Sequence, residues 1–302
     1  MGEIINTSLV QPGDKLGIDS KILVTGANGQ LGKELKKIAS SYPQFEFIFL
    51  SREDLPIHHF ELLRNTFKGY RPAYLINCAA YTAVDKAESE KELAFQVNGE
   101  AVGVLAAVCK EYHTKFIHIS TDYVFDGRAA APYKEDTPTN PQSVYGASKL
   151  EGEKQALQFN SESIILRTSW VYSEFGKNFV KTILKLLYEK QEVNVVNDQV
   201  GSPTYAADLA ETILTIIASG KWTPGIYHYS NEGIISWYDF ALSIREHIKS
   251  SCKINPISTS QYPTKARRPA YSALDNEKIQ NIYGLKLKNW KDSLARCLVR
   301  LN

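Results

Sequence analysis

Lys21-Ile22-Leu23-Val24-Thr25-Gly26-Ala27-Asn28-Gly29-Gln30-Leu31-Gly32 is the stretch that decides the fold. Its opening residues form a short apolar, β-branched run, and Gly32 opens a helical pattern through Ile38, so the order is strand, tight turn, helix. Glycines permit a turn that side chains would obstruct and let the backbone approach a pyrophosphate. The amides and dipole at the helix N-terminus favour that charge. Gly26, Asn28, Gly29, Gln30, Leu31 and Gly32 are therefore the candidate dinucleotide-binding residues.

A second motif, Tyr145-Gly146-Ala147-Ser148-Lys149, lies well downstream. A Tyr and a Lys four residues apart share one helix face, so an ammonium can sit beside the phenol and favour its ionised form. Between the two motifs, Ile117-His118-Ile119-Ser120-Thr121-Asp122 reads as a strand ending in hydroxyls. One motif seats a dinucleotide and the other moves a proton, which together point to hydride chemistry. Tyr145, Lys149 and Thr121 are the candidate catalytic residues.

Outward from these motifs, strand-like runs at Lys21–Thr25, Phe45–Leu50, Tyr74–Asn77, Phe116–Ser120, Ser163–Arg167 and Val193–Asn197 alternate with helical ones, notably Glu88 to Tyr112 and Val144 to Phe159. Asn140 as cap and Pro141 in the first turn fit the start of the latter. The alternation predicts an α/β fold, a doubly wound Rossmann-type parallel sheet with helices on both faces. After Arg167 it becomes irregular, with helices near Asn178–Lys190 and Asp208–Ala218 and another beginning at Ser236. The expected organisation is an extension over 1–20, a dinucleotide-binding domain over 21–170, and a smaller C-terminal α/β substrate lobe over 171–302, with about 193–220 returning to the Rossmann sheet.

At 302 residues and 43% hydrophobic content the chain can bury a large core. A formal net charge of +2 with Lys and Arg dispersed among acids gives no reason to expect nucleic acid or an anionic membrane surface as partner. Cys78, Cys109, Cys252 and Cys297 lack paired metal spacing and read as reduced structural thiols of a cytoplasmic protein. No apolar stretch approaches a membrane span, and residues 1 to 20 lack the basic start and apolar centre of a secretory signal. Asn6 occupies the position where a Met1-Gly2 myristoylation signal needs Ser or Thr.

The chain closely resembles the extended short-chain dehydrogenase/reductases, and within them the dTDP-4-dehydrorhamnose reductases. The resemblance runs from about Lys21 to the C-terminus. It rests on the Val24–Gly32 and Tyr145–Glu153 blocks, which mark the superfamily, the former through its Gly-x-x-Gly-x-x-Gly spacing. Ser120-Thr121-Asp122-Tyr123-Val124-Phe125-Asp126-Gly127 follows in the expected order, and Val84-Asp85-Lys86-Ala87-Glu88, Thr168-Ser169-Trp170 and Asp198-Gln199 narrow it to the subfamily.

The resemblance implies reduction of the C4 ketone of dTDP-4-dehydro-L-rhamnose, with Tyr145 as general acid, Lys149 on the nicotinamide ribose and Thr121 on the ketone oxygen. It adds Ser51, Arg52, Ala79, Ala80, Tyr81 and Asn98 to the cofactor contacts. On the substrate it places Val84, Thr121, Asp122, Tyr123, Trp170, Asn178, Gln199 and Arg268. Arg52, which can accommodate a 2′-phosphate, favours NADPH, with Glu53 the argument for NADH. Pro56, where family members commonly have Asp, removes a backbone donor near the adenine, and His58-His59 reads as exposed loop. The family commonly forms homodimers, some with Mg2+ at the interface, although no ligand cluster is legible in this sequence. Two other readings share these motifs: a reductase or epimerase of another nucleotide sugar, and a dinucleotide-binding regulatory subunit like that of methionine adenosyltransferase. The presence of Thr121, Tyr145 and Lys149 favours an enzyme over the latter.

Overall fold

Residues 20–301 are described by a computed structural model of the chain; the expected extension lies outside the described residues, except for Ser20. The principal strands are β1 (Lys21–Thr25), β2 (Glu46–Leu50), β3 (Tyr74–Asn77), β4 (Lys115–Thr121), β5 (Ile164–Thr168), β6 (Glu192–Val196), β7 (Gly225–His228) and β8 (Lys253–Ile257). Six of them form one sheet in the spatial order β7-β5-β4-β3-β1-β2, every neighbour parallel. The principal helices are α1 (Gln30–Ile38), α2 (Phe60–Tyr70), α3 (Lys91–Glu111), α4 (Val144–Phe159), α5 (Phe179–Glu189), α6 (Ala206–Ala218), α7 (Trp237–His247), α8 (Glu277–Tyr283) and α9 (Trp290–Leu301).

Side chains alternate across a strand, and here both sets are apolar, so both faces must be covered. Ile22 and Val24 of β1, Ile76, Ile117 and Leu166 pack under α1 and α6 with Leu35, Leu209 and Ile213. Leu23, Leu75, Phe116 and Ile165 face the opposite way, against Leu63 and Phe67 of α2, Leu105 of α3 and Ala156 of α4. Complete burial of each such side chain contributes about 1.5–3 kcal/mol. Helix α3 is long and apolar enough to cross a membrane by length and composition alone, but Val102, Leu105, Ala106 and Val108 are spent on this core.

The segment expected to return to the sheet divides. Helix α6 does pack on it, whereas β6 pairs in parallel with β8 in a separate two-stranded ladder, and β7 supplies the sixth strand. The burial pattern of β6 explains this: Val193 and Val195 are buried while Glu192 and Asn194 are exposed, which suits one covered face. Its covered face joins the second core, in which Val180 and Ile183 of α5, Phe240 and Ile244 of α7, Ile254 of β8 and Leu294 of α9 meet.

Helix α4 brings Tyr145 and Lys149 to the sheet, and small residues let it come close. A Cβ on Gly146 would stand 2.2 Å from the Tyr123 carbonyl oxygen, and one on Gly152 would stand 2.0 Å from that of Asn98. The helix begins later than Asn140 and Pro141 suggest. Ser143, in extended conformation, is the cap, its Oγ accepting from the Gly146 amide at 3.1 Å; the Asn140 amide instead donates to Val124 O. Helix α3 answers α4 with a π-turn over Gln96–Glu100, which contains Asn98.

In an open helix, Gly152→Ala would stabilise by about 1 kcal/mol through propensity. Here the backbone of α3 blocks the added methyl, so a net loss of about 1–3 kcal/mol is expected by urea denaturation. A gain in stability would show that the two helices are not in close approach.

Candidate active site

The sheet order reverses around β1, leaving a crevice at the C-terminal ends of β1 and β3, where α/β sheets bind their ligands. Thr25 and Asn77 end those strands side by side, and Thr25 Oγ1 donates to Asn77 Oδ1 at 2.7 Å. Gly26 follows with φ +67°, and a Cβ on it would lie 2.6 Å from the Ala79 amide nitrogen. Only glycine satisfies both the left-handed backbone and that approach. A Cβ on Gly32 would meet Gly26 O at 2.5 Å, so the third glycine lets α1 lean on the turn. Gly29 precedes α1 without a side-chain cap, leaving the first-turn amides turned toward a cleft of about 570 Å³. Such a cradle fits a dinucleotide pyrophosphate.

Gly29, Gln30, Leu31, Ala79, Ala80, Val84, Thr121, Asp122, Tyr123, Tyr145, Lys149 and Trp170 all line this one cleft. Gly26 and Gly32 shape the turn from behind, and Asn28 is exposed on it. Ser51 and exposed Arg52 follow β2, whose Leu50 carbonyl accepts the Ala27 amide, and so stand next to the turn. Asn98 does not face the cleft. Its amide is consumed by both backbone groups of Tyr81 and by Ser148 Oγ at 2.8–3.0 Å, so it braces the loop after β3 from inside. The Tyr81 hydroxyl donates to Glu90 at 2.6 Å.

Burial, not the Lys149 ammonium, dominates the Tyr145 phenol, pushing it up to about 12; a hydrogen bond with Thr121 lowers it and the Asp122 carboxylate raises it. The Lys149 amine engages the strand beside it. It donates to Ile119 O at 2.7 Å and stands 3.2 Å from His118 Nε2. Burial lowers Lys149 to about 8, opposed by the charge of Glu153. Thr121 Oγ1 accepts from the Tyr123 amide and donates to Asp122 Oδ1 at 3.0 Å, and burial raises Asp122 to about 6. A protonated phenol at the start of α4 thus meets a rotatable hydroxyl at the end of β4.

On the far side of the cleft Trp170 holds φ 48°, a costly conformation for a bulky residue. Its ring stacks on Trp237 with centroids 3.5 Å apart and planes 7° from parallel. Gly201 makes room, since a Cβ there would meet the Trp170 ring at 2.9 Å. Trp237 faces a second, more apolar hollow of about 240 Å³ that Phe179, Gln199, Tyr262 and Arg268 also line. Arg268 is already engaged, its guanidinium forking onto Asp85 at 2.7 and 3.2 Å, and Asp85 also accepts the Ala266 amide. Asn178 does not line the cleft: it caps α5 and donates to Gln30 Oε1 at 2.8 Å, tying the second lobe to the glycine turn.

The family model of the RmlD substrate binding domain matches residues 20–302. The chain belongs to the dTDP-4-dehydrorhamnose reductase family. The dTDP-4-dehydrorhamnose reductase of Aggregatibacter actinomycetemcomitans is 40% identical over 285 residues, 91% of this chain and 97% of that protein. The spore coat polysaccharide biosynthesis protein SpsK of Bacillus subtilis is 42% identical over 279 residues, 92% of this chain and 97% of that protein. Among solved structures, a dTDP-4-dehydrorhamnose reductase from Bacillus anthracis in complex with NADP has a TM-score of 0.90 and 35% identity, covering 93% of this chain and 99% of that one.

In this member of the family, three residues of the site escaped the sequence reading. Trp237 directly follows the Ser236 cap, and Asp85 sits in the Val84–Glu88 block, where nothing local marks its distant partner Arg268. His118 was legible in principle, because in β4 it alternates with Phe116 and Ser120 and so shares their face toward α4. Among the described residues no three His, Cys, Asp or Glu side chains are grouped to hold a metal ion.

What fixes α4 against the sheet is a buried ion pair. Arg167 of β5 donates Nε and a terminal nitrogen to the two oxygens of Glu153 at 2.9 and 2.7 Å, with side-chain exposures of 3% and 2%, and Ser120 of β4 donates to the same carboxylate. Glu153→Gln leaves the guanidinium buried without its counter-charge. A loss of about 3–5 kcal/mol is expected in denaturant unfolding; a loss under about 1 kcal/mol would mean that α4 is held by packing alone.

Proposed function

We propose that this protein reduces the C4 ketone of dTDP-4-dehydro-L-rhamnose to dTDP-L-rhamnose with NADPH. The observation that carries this is the single cleft in which the glycine turn, Tyr145, Lys149 and Thr121 converge. When bound, NADPH supplies the hydride.

The remaining work falls to the chain's own side chains. A phenol at about 12 is protonated at neutral pH, so Tyr145 is loaded as general acid for the ketone oxygen. Thr121 stabilises the developing oxygen charge by turning its O–H from Asp122 to that oxygen, a rotation that moves no heavy atom. Lys149 orients the nicotinamide ribose and lends positive charge to the site. Val84, Asp122, Tyr123 and Trp170 enclose the sugar. The hollow beside Trp237 suits the thymine, with Gln199 at its edge, and Arg268, held in place by Asp85, meets the diphosphate as a fork. Exposed Arg52 beside the glycine turn suits a 2′-phosphate, which favours NADPH over NADH. The same reading makes the enzyme a homodimer of the cytoplasm, where free thiols such as Cys78, Cys109, Cys252 and Cys297 persist.

Purified protein is expected to oxidise NADPH only when given dTDP-4-dehydro-L-rhamnose. Tyr145→Phe should lower kcat by about 10²–10⁴ while binding NADPH as before, the loss typical of a missing general acid. Near-normal turnover of that variant would remove Tyr145 from the mechanism.

A further inference from the structure

Behind the cleft a buried hydrogen-bonded chain runs to Lys149 through Asn77 and His118, two residues that the proposed mechanism does not use. Asn77 Oδ1 receives the Ala79 backbone amide at 3.1 Å and the Thr25 hydroxyl at 2.7 Å. A backbone amide is always a donor, so this oxygen is fixed as the acceptor and Nδ2 must point the other way. Nδ2 lies 3.0 Å from His118 Nδ1. A donor there requires Nδ1 to accept, which leaves the proton of a neutral imidazole on Nε2. Nε2 stands 3.2 Å from Lys149 Nζ. An N–H directed at an ammonium opposes it, whereas an N–H directed at a neutral amine is a hydrogen bond.

We infer that Asn77 locks His118 in the Nε2–H tautomer and that His118 thereby acts as a positioning residue that lowers the proton affinity of Lys149. The inference rests on the reading of Lys149 as the partner of Tyr145. His118 and Lys149 are 0% and 2% exposed, so solvent does not relieve the opposition. His118 is itself held well below the ordinary imidazole range by burial and by the Lys149 charge, which keeps the ring neutral. The other groups acting on the amine are the Ile119 carbonyl, which accepts from it at 2.7 Å, Glu153 from its own helix and Cys78 from the loop after β3, and all three favour the ammonium. Tyr145 lies one turn away on the same helix. Burial by itself lowers Lys149 to about 8, and the geometry sets the His118 N–H against the proton in addition.

The test is NMR on the full chain without cofactor. Imidazole nitrogen shifts of ¹⁵N-labelled protein, assigned by the missing signal in His118→Gln, should show a neutral ring protonated on Nε2 from about pH 6 to 9; a ring protonated on Nδ1, or an imidazolium, overturns the inference. Asn77→Asp supplies the second arm. A carboxylate there demands Nδ1–H, so the ring should switch tautomer and Nε2 should accept from Lys149. The Lys149 midpoint, followed through its ¹³Cε shift, should rise by about one pH unit or more, a tenfold gain in proton affinity. A rise without the tautomer switch would assign the effect to the added charge and overturn the inference, as would no rise. These readouts do not involve turnover. Failure of the reductase reading would appear separately, as absent NADPH oxidation with the histidine result intact.

Discussion

The buried pair between Glu153 and Arg167 is the constraint on which the site depends. Helix α4 has little apolar surface for the sheet; the residues it buries are Gly146, Ser148, Lys149, Gly152, Glu153 and Ala156. Small residues permit close approach but supply little adhesion. The charge pair supplies a directional tie, crossing from the third turn of the helix to β5, with Ser120 of β4 as the third member. Because desolvating both charges is costly, such a pair contributes more to a unique register than to net stability. The register is what chemistry needs: one turn before Glu153 on the same helix face comes Lys149, and another turn before it Tyr145.

Electrostatics follow from that placement. The interior that holds α4 in register also raises the phenol, lowers the amine and keeps His118 neutral. The protein groups thus keep Tyr145 protonated, the form that a proton donor must have. Contacts across the cleft then join the second lobe to this rigid half. Asn178 reaches Gln30, Asp85 clasps Arg268, and Ser173 donates to buried Glu34 of α1 at 2.7 Å. None of these runs through the sheet, and an apolar contact of Leu274 with Val124, Phe125 and Tyr133 adds to them.

Much of this was legible in the sequence because the strongest signals are local. The glycine turn, the order of the first five strands and the span of α4 follow from periodicity and turn chemistry within a few residues. What could not be read depends on partners far along the chain. The Val193–Asn197 run has the same composition as a sheet strand, and only its pairing with β8 separates it from the central sheet. Arg268 was identified as a cation for phosphate, yet its carboxylate partner lies 183 residues earlier. Asn98 has the polar character of a cofactor contact, but a π-turn rotates it inward to Tyr81 and Ser148. Lys149 sits on the expected face, and its amine direction is set by His118 and Ile119 of another element.

In the proposed mechanism the end of β4 and the start of α4 together present two hydroxyls to one substrate oxygen. A crystal structure of the protein with NADP+ and dTDP-L-rhamnose tests it most directly. The account predicts the C4 oxygen within about 3 Å of both Tyr145 Oη and Thr121 Oγ1, ordinary hydrogen-bond distance, with the pyrophosphate of the cofactor on the amides of α1. A sugar whose C4 oxygen lies out of reach of both hydroxyls would contradict it.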